Sequence, residues 1–514
     1  MQLSLKKRLL ERTVNSETIP FLSFLIPLVI RSVPEILMGS YVVGFDTLGY
    51  YVPNTLVWLQ TGIPFWSFLA EAPFLYVLLM GVTSIGVPIV ITLKVLSPLL
   101  LGLLGLTVYF YAAKTLSWGP KKSFLAVLFA TLYFVALRIS WDMLRSELAL
   151  IFMFVTLMLI NKDAKTLRNS FLLSLAMLSV VFTHQLVTII MFAIVMACIL
   201  RSYINKQKTN LRRLIVCSVP AITLFLLIVY SKYMASSAFS VIRGFIGQES
   251  DGFLALFGFA SYSGMVVDTL GFLVFCYLPL LPLVVLGVKR FKGNLHIKVW
   301  VSWIFLSLLL VIISPNAFFP VYPYRWTLLL TYPLAFYAVS GFVDLRLNRY
   351  KACVSVLLVT LSLGFILMPS SLVFPYYVVY SNYIPSSMLQ NTVSLSDARD
   401  TANAIAWAQN NMIENAHLLV HDAFYGWALL GLDRNKLIPY GYANPETVAE
   451  KLGENGSEYP LYLIWWVNGS GWHGQPDVSS SFKQVYKSGE IAIFVYNSSY
   501  ISAIDSEYTK ILNR

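Results

Sequence analysis

The chain has 514 residues, is 57% hydrophobic and 12% charged, and has a mean hydropathy of +0.70. Soluble globular proteins carry about a quarter charged residues, so the composition excludes one and identifies an integral membrane protein. The net charge of +12 does not point to nucleic acid: residues 1–384 hold 29 of the 37 Lys and Arg but 12 of the 25 Asp and Glu, and residues 385–514 carry a net −5.

A spanning helix needs about 20 mostly apolar residues. In chain order the sequence predicts spans at 19–38, 88–113, 123–139, 146–160, 170–183, 186–200, 213–231, 266–288, 299–314, 326–343 and 352–370. The first follows Lys6, Lys7, Arg8 and Arg12. It is too long for a signal-peptide core and lacks a small-residue cleavage site, so it reads as a retained span. With the N-terminus inside, 22 Lys and Arg fall on the inner side, and seven (Arg31, Lys94, Arg138, Arg145, Lys232, Arg243 and Arg325) fall at the outer side. That asymmetry sets the orientation, and the odd span count puts residues 385–514 outside. The three Asn-x-Ser/Thr sequons, at Asn455, Asn468 and Asn497, all lie in that tail. Between the first two spans runs a long outer loop, 39–87, in which 73–87 reads as a helix lying at the outer interface. Cys198, Cys217, Cys276 and Cys353 all lie in apolar segments and read as free core thiols.

The tail changes character. Ser396 followed by DARDTANAIAWAQNN reads as a capped helix, and Asn444 followed by PETVAEKL as a second. HLLVHD, PLYLIWWV and EIAIFVYN read as short strands. The predicted fold is an all-α multi-pass membrane bundle of about eleven helices over 1–384, N-terminus in and C-terminus out. A small α/β extracytoplasmic domain follows over 385–514.

The chemistry lies in the outer acids: Glu35, Asp46, Glu71, Asp142, Glu147, Glu249, Asp251 and Asp268. Asp46 sits in VGFDTLGYY, just after the first span, where Gly44 and Gly49 let the backbone turn and Tyr50 and Tyr51 suit the headgroup layer. The next outer loop, ISWDMLRSE, offers Asp142 and Glu147. A carboxylate at that depth can act as general base on an acceptor hydroxyl or hold a divalent cation against a phosphate. The plainer alternatives are solvated loop acids, or pairing of Asp142 or Glu147 with Arg138 or Arg145. The histidines show no metal-ligand spacing, and no phosphate-cradling glycine loop is present.

In order and spacing, five stretches resemble motifs of the GT-C superfamily of polyprenyl-phosphate-sugar-dependent glycosyltransferases: Gly44-Phe45-Asp46 with Tyr50; Glu71-Ala72-Pro73-Phe74-Leu75-Tyr76; Arg138–Glu147; Thr183-His184-Gln185; and Tyr324-Arg325-Trp326. The likeness spans roughly residues 19–370. It is nearer to the protein O-mannosyltransferase and aminoarabinose-transferase type than to oligosaccharyltransferases, whose WWDYG is echoed by Trp465-Trp466-Val467-Asn468-Gly469 without its acid. The resemblance implies Asp46 as catalytic carboxylate and Asp142 or Glu147 as the second acid. It also implies Arg325, Lys94 or Arg138 as the cation meeting the donor phosphate, with Glu71, Tyr50 and His184 at the substrate. Lys94 and Arg325 also fit snorkelling anchors. Any metal would be Mg2+ or Mn2+, held by Asp46 and Glu147. The implied partners are a polyprenyl or dolichyl-phosphate sugar and a glycan, lipid or protein acceptor at the extracytoplasmic face of the cell membrane. Two rival readings are a transporter or flippase of lipid-linked saccharides and a non-catalytic surface assembly protein. Transporters place ionisable groups near the midplane, and spans four to eleven carry almost none there.

Overall fold

In the computed structural model the described residues are 2–162, 166–246, 262–291, 294–313, 323–367, 391–441, 444–454, 460–468 and 478–496. The chain divides into two compact units. One comprises Met1–Val42, Pro64–Ile242 and Glu249–Leu389; the other comprises Val43–Ile63, Arg243–Gln248 and Gln390–Arg514.

The first unit is helical: α1 (Gln2–Leu37), α3 (Phe65–Ala70), α4 (Phe74–Ser84), α5 (Ile89–Phe110), α6 (Pro120–Leu132), α7 (Phe134–Asp142), α8 (Leu144–Ile160), α9 (Leu167–Thr183), α10 (Gln185–Ile204), α11 (Lys208–Ile246), α12 (Tyr262–Tyr277), α13 (Leu281–Arg290), α14 (Leu295–Ile313), α15 (Pro323–Leu329), α16 (Thr331–Asp344) and α17 (Asn348–Leu367). Each predicted span is helical over most of its described residues, and α4 is the helix predicted within the first outer loop. Among the described residues five helices can cross a membrane by length and composition, or seven if two bent pairs each count as one span. The bends are 59° between α6 and α7 and 73° between α12 and α13. They break predicted spans 123–139 and 266–288.

Small residues set the helix packing. A Cβ on Gly105 of α5 would lie 2.4 Å from the Ser23 carbonyl of α1. A Cβ on Gly287 of α13 would lie 1.8 Å from the Tyr337 carbonyl of α16, and one on Gly341 2.0 Å from the Leu283 carbonyl. Between apolar helices close backbone approach supplies the attraction that water would otherwise drive. Of the four free cysteines, Cys198, Cys217 and Cys276 are buried as expected, but Cys353 is exposed on α17.

The second unit holds α2 (Val52–Thr61), α18 (Ala398–Asn411), α19 (Asp422–Leu429) and α20 (Pro445–Glu454) around strands β1 (His417–Val420), β2 (Leu437–Pro439), β3 (Leu461–Trp466), β4 (Phe482–Ser488) and β5 (Ile491–Tyr496). The sheet order is β2-β1-β3-β5-β4, with β1 parallel to β2 and β3 and the remaining pairs antiparallel. All six residues of β3 are buried, so its two tryptophans are core side chains. The three predicted strands and two predicted helices are present. Asn444 accepts from the Glu446 N–H at 2.9 Å and caps α20 as expected. Ser396 does not cap α18. Asp397 holds that position without a capping bond, because its carboxylate accepts from Trp466 Nε1 at 3.0 Å. Asn468 donates to Glu490 at 2.7 Å, whereas sequons Asn455 and Asn497, like Glu249 and Asp251, lie outside the described residues.

Candidate active site

Asp46 lies in the second unit. It precedes a five-residue π-turn, Thr47–Tyr51, that feeds α2. Gly44 takes a φ of +115°, a conformation side chains disfavour, and the chain then coils with the Leu48 N–H donating to the Gly44 carbonyl at 3.4 Å. Gly49 needs no such freedom, since it sits within the turn. Asp46 is 8% exposed and Tyr51 2%, whereas Tyr50 is 49% exposed. The loop is therefore an anchored element rather than a solvated one, and of its two tyrosines Tyr50 is the exposed one.

The anchor is α19. A Cβ on Gly426 would fall 1.8 Å from the Leu48 carbonyl oxygen, so the turn rests directly on the helix backbone. Nearby, Trp427 Nε1 donates to Thr392 Oγ1 at 3.1 Å, and the Arg434 N–H donates to Gln60 Oε1 at 3.4 Å.

The first unit gathers the other candidates at one end of its helices. Arg31 and Glu35, one turn apart on α1, pair at 2.8 Å, and Arg31 Nε donates to the Ser140 carbonyl at 3.1 Å. Lys94 on α5 donates to the Glu35 carbonyl at 2.7 Å and reaches its carboxylate at 3.4 Å. Arg138 and Asp142, on α7, pair at 2.5 Å, both buried. Lys94 and Arg138 thus already hold carboxylates, and Asp142 takes the pairing with Arg138 weighed above.

Glu147, in the first turn of α8, is fully buried, and neither carboxylate oxygen has a hydrogen-bond partner among the described residues. The charges of Arg31 and Asp142 act on it, and its own charge acts on Tyr332 of α16, whose buried hydroxyl also lacks a hydrogen-bond partner. A buried charge without hydrogen bonds is costly; ionisable groups inside membrane bundles mark functional sites.

Glu71, 36% exposed, pairs with Arg145 at 2.7 Å, and Arg145 also donates to the Glu71 backbone carbonyl. The next residue, Ala72, is held at a φ of +49°, a backbone conformation that costs energy for a residue with a Cβ. His184 sits between α9 and α10. Val187 N–H donates to its Nδ1 at 3.4 Å, leaving Nε2 to carry the proton toward Ser146 Oγ at 3.3 Å. Burial, reinforced by the charges of Arg145, Arg325 and Lys232, holds this imidazole well below the ordinary histidine range. Arg325 is half-buried in α15. An apolar cavity of about 480 Å³ opens at the bend between α12 and α13, lined by Tyr277, Leu281, Phe305 and Leu334 among others.

Among the described residues no three His, Cys, Asp or Glu side chains come together as a metal-ligand set, and Asp46 and Glu147 belong to different units. Sequence reasoning gave no role to Tyr332 or to the Arg31–Glu35 pair. The available signal for the pair was an Arg and a Glu four residues apart inside an otherwise apolar run.

No protein-family model matches the chain, and no curated protein matches its sequence. Its fold is similar to that of ArnT from Cupriavidus metallidurans. The crystal structure bound to undecaprenyl phosphate gives a TM-score of 0.51 at 14% identity, covering 93% of this chain and 98% of that one. The apo structure gives 0.51 and 14%, covering 92% and 97%. The apo oligosaccharyltransferase of Archaeoglobus fulgidus gives 0.48 at 11% identity, covering 87% and 70%, too distant to add to the argument. At such identity the likeness is one of fold alone.

Proposed function

We propose that the protein is an integral membrane glycosyltransferase that moves a sugar from a polyprenyl or dolichyl phosphate to a hydroxyl or amide of a glycan, lipid or protein at the extracytoplasmic face. The observation that carries this reading is the cluster of buried Arg31, Glu35, Arg138, Asp142 and Glu147 with the partly exposed Lys94. It occurs within a fold shared with a protein crystallised with undecaprenyl phosphate. A transporter would place such groups near mid-membrane, whereas these cluster toward helix ends.

In this mechanism Asp46 is the general base. The acceptor oxygen or nitrogen attacks the anomeric carbon as the bond from that carbon to the phosphate oxygen breaks. Asp46 takes the acceptor proton, and the carrier phosphate leaves with the bonding electron pair. One base and no covalent nucleophile imply inversion. Arg325 meets the phosphate, since an arginine can grip it through two parallel hydrogen bonds; Lys94 and Arg138, already paired, tune the field around it. Glu147, with unused acceptor oxygens, takes a hydrogen bond from a sugar or acceptor hydroxyl. Tyr50, Glu71 and His184 complete the substrate contacts, and the apolar cavity receives part of the carrier chain.

The test is transfer by purified protein from a panel of labelled polyprenyl-phosphate sugars into cell-envelope lipid extract. General base catalysis is worth about 10²–10⁴-fold, so Asp46→Asn should lower turnover by that range. Because Asp46 is buried, the variant's thermal unfolding must be measured alongside. A folded Asp46→Asn protein with near-full activity would remove Asp46 from catalysis and leave Asp142 and Glu147 as candidates.

A further inference from the structure

A second polar cavity lies at the far end of the first unit. Helix α8 runs from beside Glu147 to Ile160, about 20 Å at 1.5 Å per residue, and α10 likewise leads from His184 to Ile204. Between those far ends and the starts of α11 and α14 is a hollow of about 370 Å³. A water's share of liquid volume is about 30 Å³, so the hollow has room for a phosphate and a substituent.

Its back wall is buried, with His296 2%, Ser202 3% and Cys198 7% exposed. Its rim carries two fixed cations, Lys162 and Arg201, and five side-chain amides, Asn161, Asn205, Gln207, Asn210 and Asn294. None of the lining residues among those described is Asp or Glu. His296, in the first turn of α14, has a buried Nδ1 with no hydrogen-bond partner among the described residues. Arg213 is committed elsewhere: it donates to the carbonyls of Lys162 at 2.7 Å and Leu159 at 2.8 Å. It thereby satisfies the C-terminal carbonyls of α8 and fixes the backbone beneath Lys162. The starts of α11 and α14 line it through Asn210 and Asn294–His296, and the His296 N–H donates to Asn294 Oδ1 at 3.3 Å.

A donor-rich hollow with two cations and no acid among its described lining residues is complementary to an anion with several acceptor oxygens. Phosphate offers more of them than a carboxylate does, and basic pockets on the inner side of membrane bundles suit phosphate headgroups. We infer that this hollow binds a phosphate group, that of an anionic lipid or free phosphate, at the end of the bundle where the charge asymmetry places the cytoplasm. The inference does not rest on the transferase reading, because no lining residue belongs to the acid cluster.

The experiment uses the full chain in phosphatidylcholine nanodiscs. One arm titrates inorganic phosphate and pyrophosphate, followed by calorimetry. The other replaces a fraction of the lipid with phosphatidylglycerol and counts retained lipid by native mass spectrometry. Saturable binding is expected in at least one arm, and the responding arm identifies the source as soluble phosphate or headgroup. The double variant Lys162→Ala, Arg201→Ala should weaken it at least tenfold, and Lys206→Ala, exposed and outside the lining, should leave it unchanged. If the double variant does not fold, Lys162→Gln and Arg201→Gln, which keep the rim polar, should each weaken binding severalfold. Binding in neither arm, undiminished binding in the folded rim variants, or an equal loss in Lys206→Ala would overturn the assignment.

Discussion

Gly426→Ala tests how the Asp46 turn is held. The added Cβ would fall 1.8 Å from the Leu48 carbonyl oxygen, 2.8 Å from its carbon and 3.2 Å from the Leu48 Cα. All three atoms are backbone, so no side chain can swing aside. Restoring ordinary contact at 3.4 Å requires the turn to retreat by about 1.6 Å, two residues downstream of Asp46. Overpacking of this kind costs about 1–3 kcal/mol, partly offset by the roughly 1 kcal/mol that alanine gains over glycine in a helix. The stability loss should therefore be small. The catalytic loss should not be, since a misplacement of about 1 Å can cost 10²-fold. The assay is sugar transfer per folded molecule, with thermal unfolding of the same preparation. Gly81→Ala is the control: it is also a helical glycine, and nothing lies within 4 Å of its added Cβ, so turnover should stay near wild type. A folded Gly426→Ala protein with undiminished turnover would refute the reasoning, showing either that the seat does not position the turn or that Asp46 is not the base.

The other predictions concern the first unit and the topology. Glu147→Gln should leave thermal stability little changed, because an amide of the same shape replaces a carboxyl that makes no hydrogen bond among the described residues, while transfer falls by tenfold or more with the loss of a hydrogen bond worth roughly 1.5–3 kcal/mol; a loss of stability with normal transfer would make Glu147 structural. Arg325→Ala should raise the KM for the lipid donor by tenfold or more, with a smaller effect on the acceptor KM, consistent with a charged hydrogen bond worth roughly 1.5–3 kcal/mol; unchanged donor dependence in a folded variant would assign Arg325 to anchoring. Protease added to intact cells should trim the chain after residue 390 and leave the segment Arg201–Arg213 intact, and cleavage within that segment would reverse the orientation.

The sequence by itself determined what depends on local pattern. Apolar runs of bilayer length produced the helices, the loop charges yielded a predicted orientation, and apolar runs bounded by turn residues produced β1, β3 and β5. The polar edge strand β4 (FKQVYKS) and the three-residue β2 escaped because neither carries a clear apolar period. The order of acidic motifs along the chain carried a resemblance to GT-C glycosyltransferases, and the fold is similar to that of ArnT from Cupriavidus metallidurans. Tertiary structure alone decided the partners. Arg145 takes Glu71 and Lys94 takes Glu35, while Glu147 has no such hydrogen-bonded partner among the described residues. Nothing in the local sequence distinguishes these carboxylates, because each pairing is set by which helices pack together. Likewise, residues 43–63 read as part of a membrane loop, yet they pack with the C-terminal unit. The reason is a contact across nearly four hundred residues, the Leu48 backbone lying on Gly426, and a glycine in a short helix does not announce what rests on it.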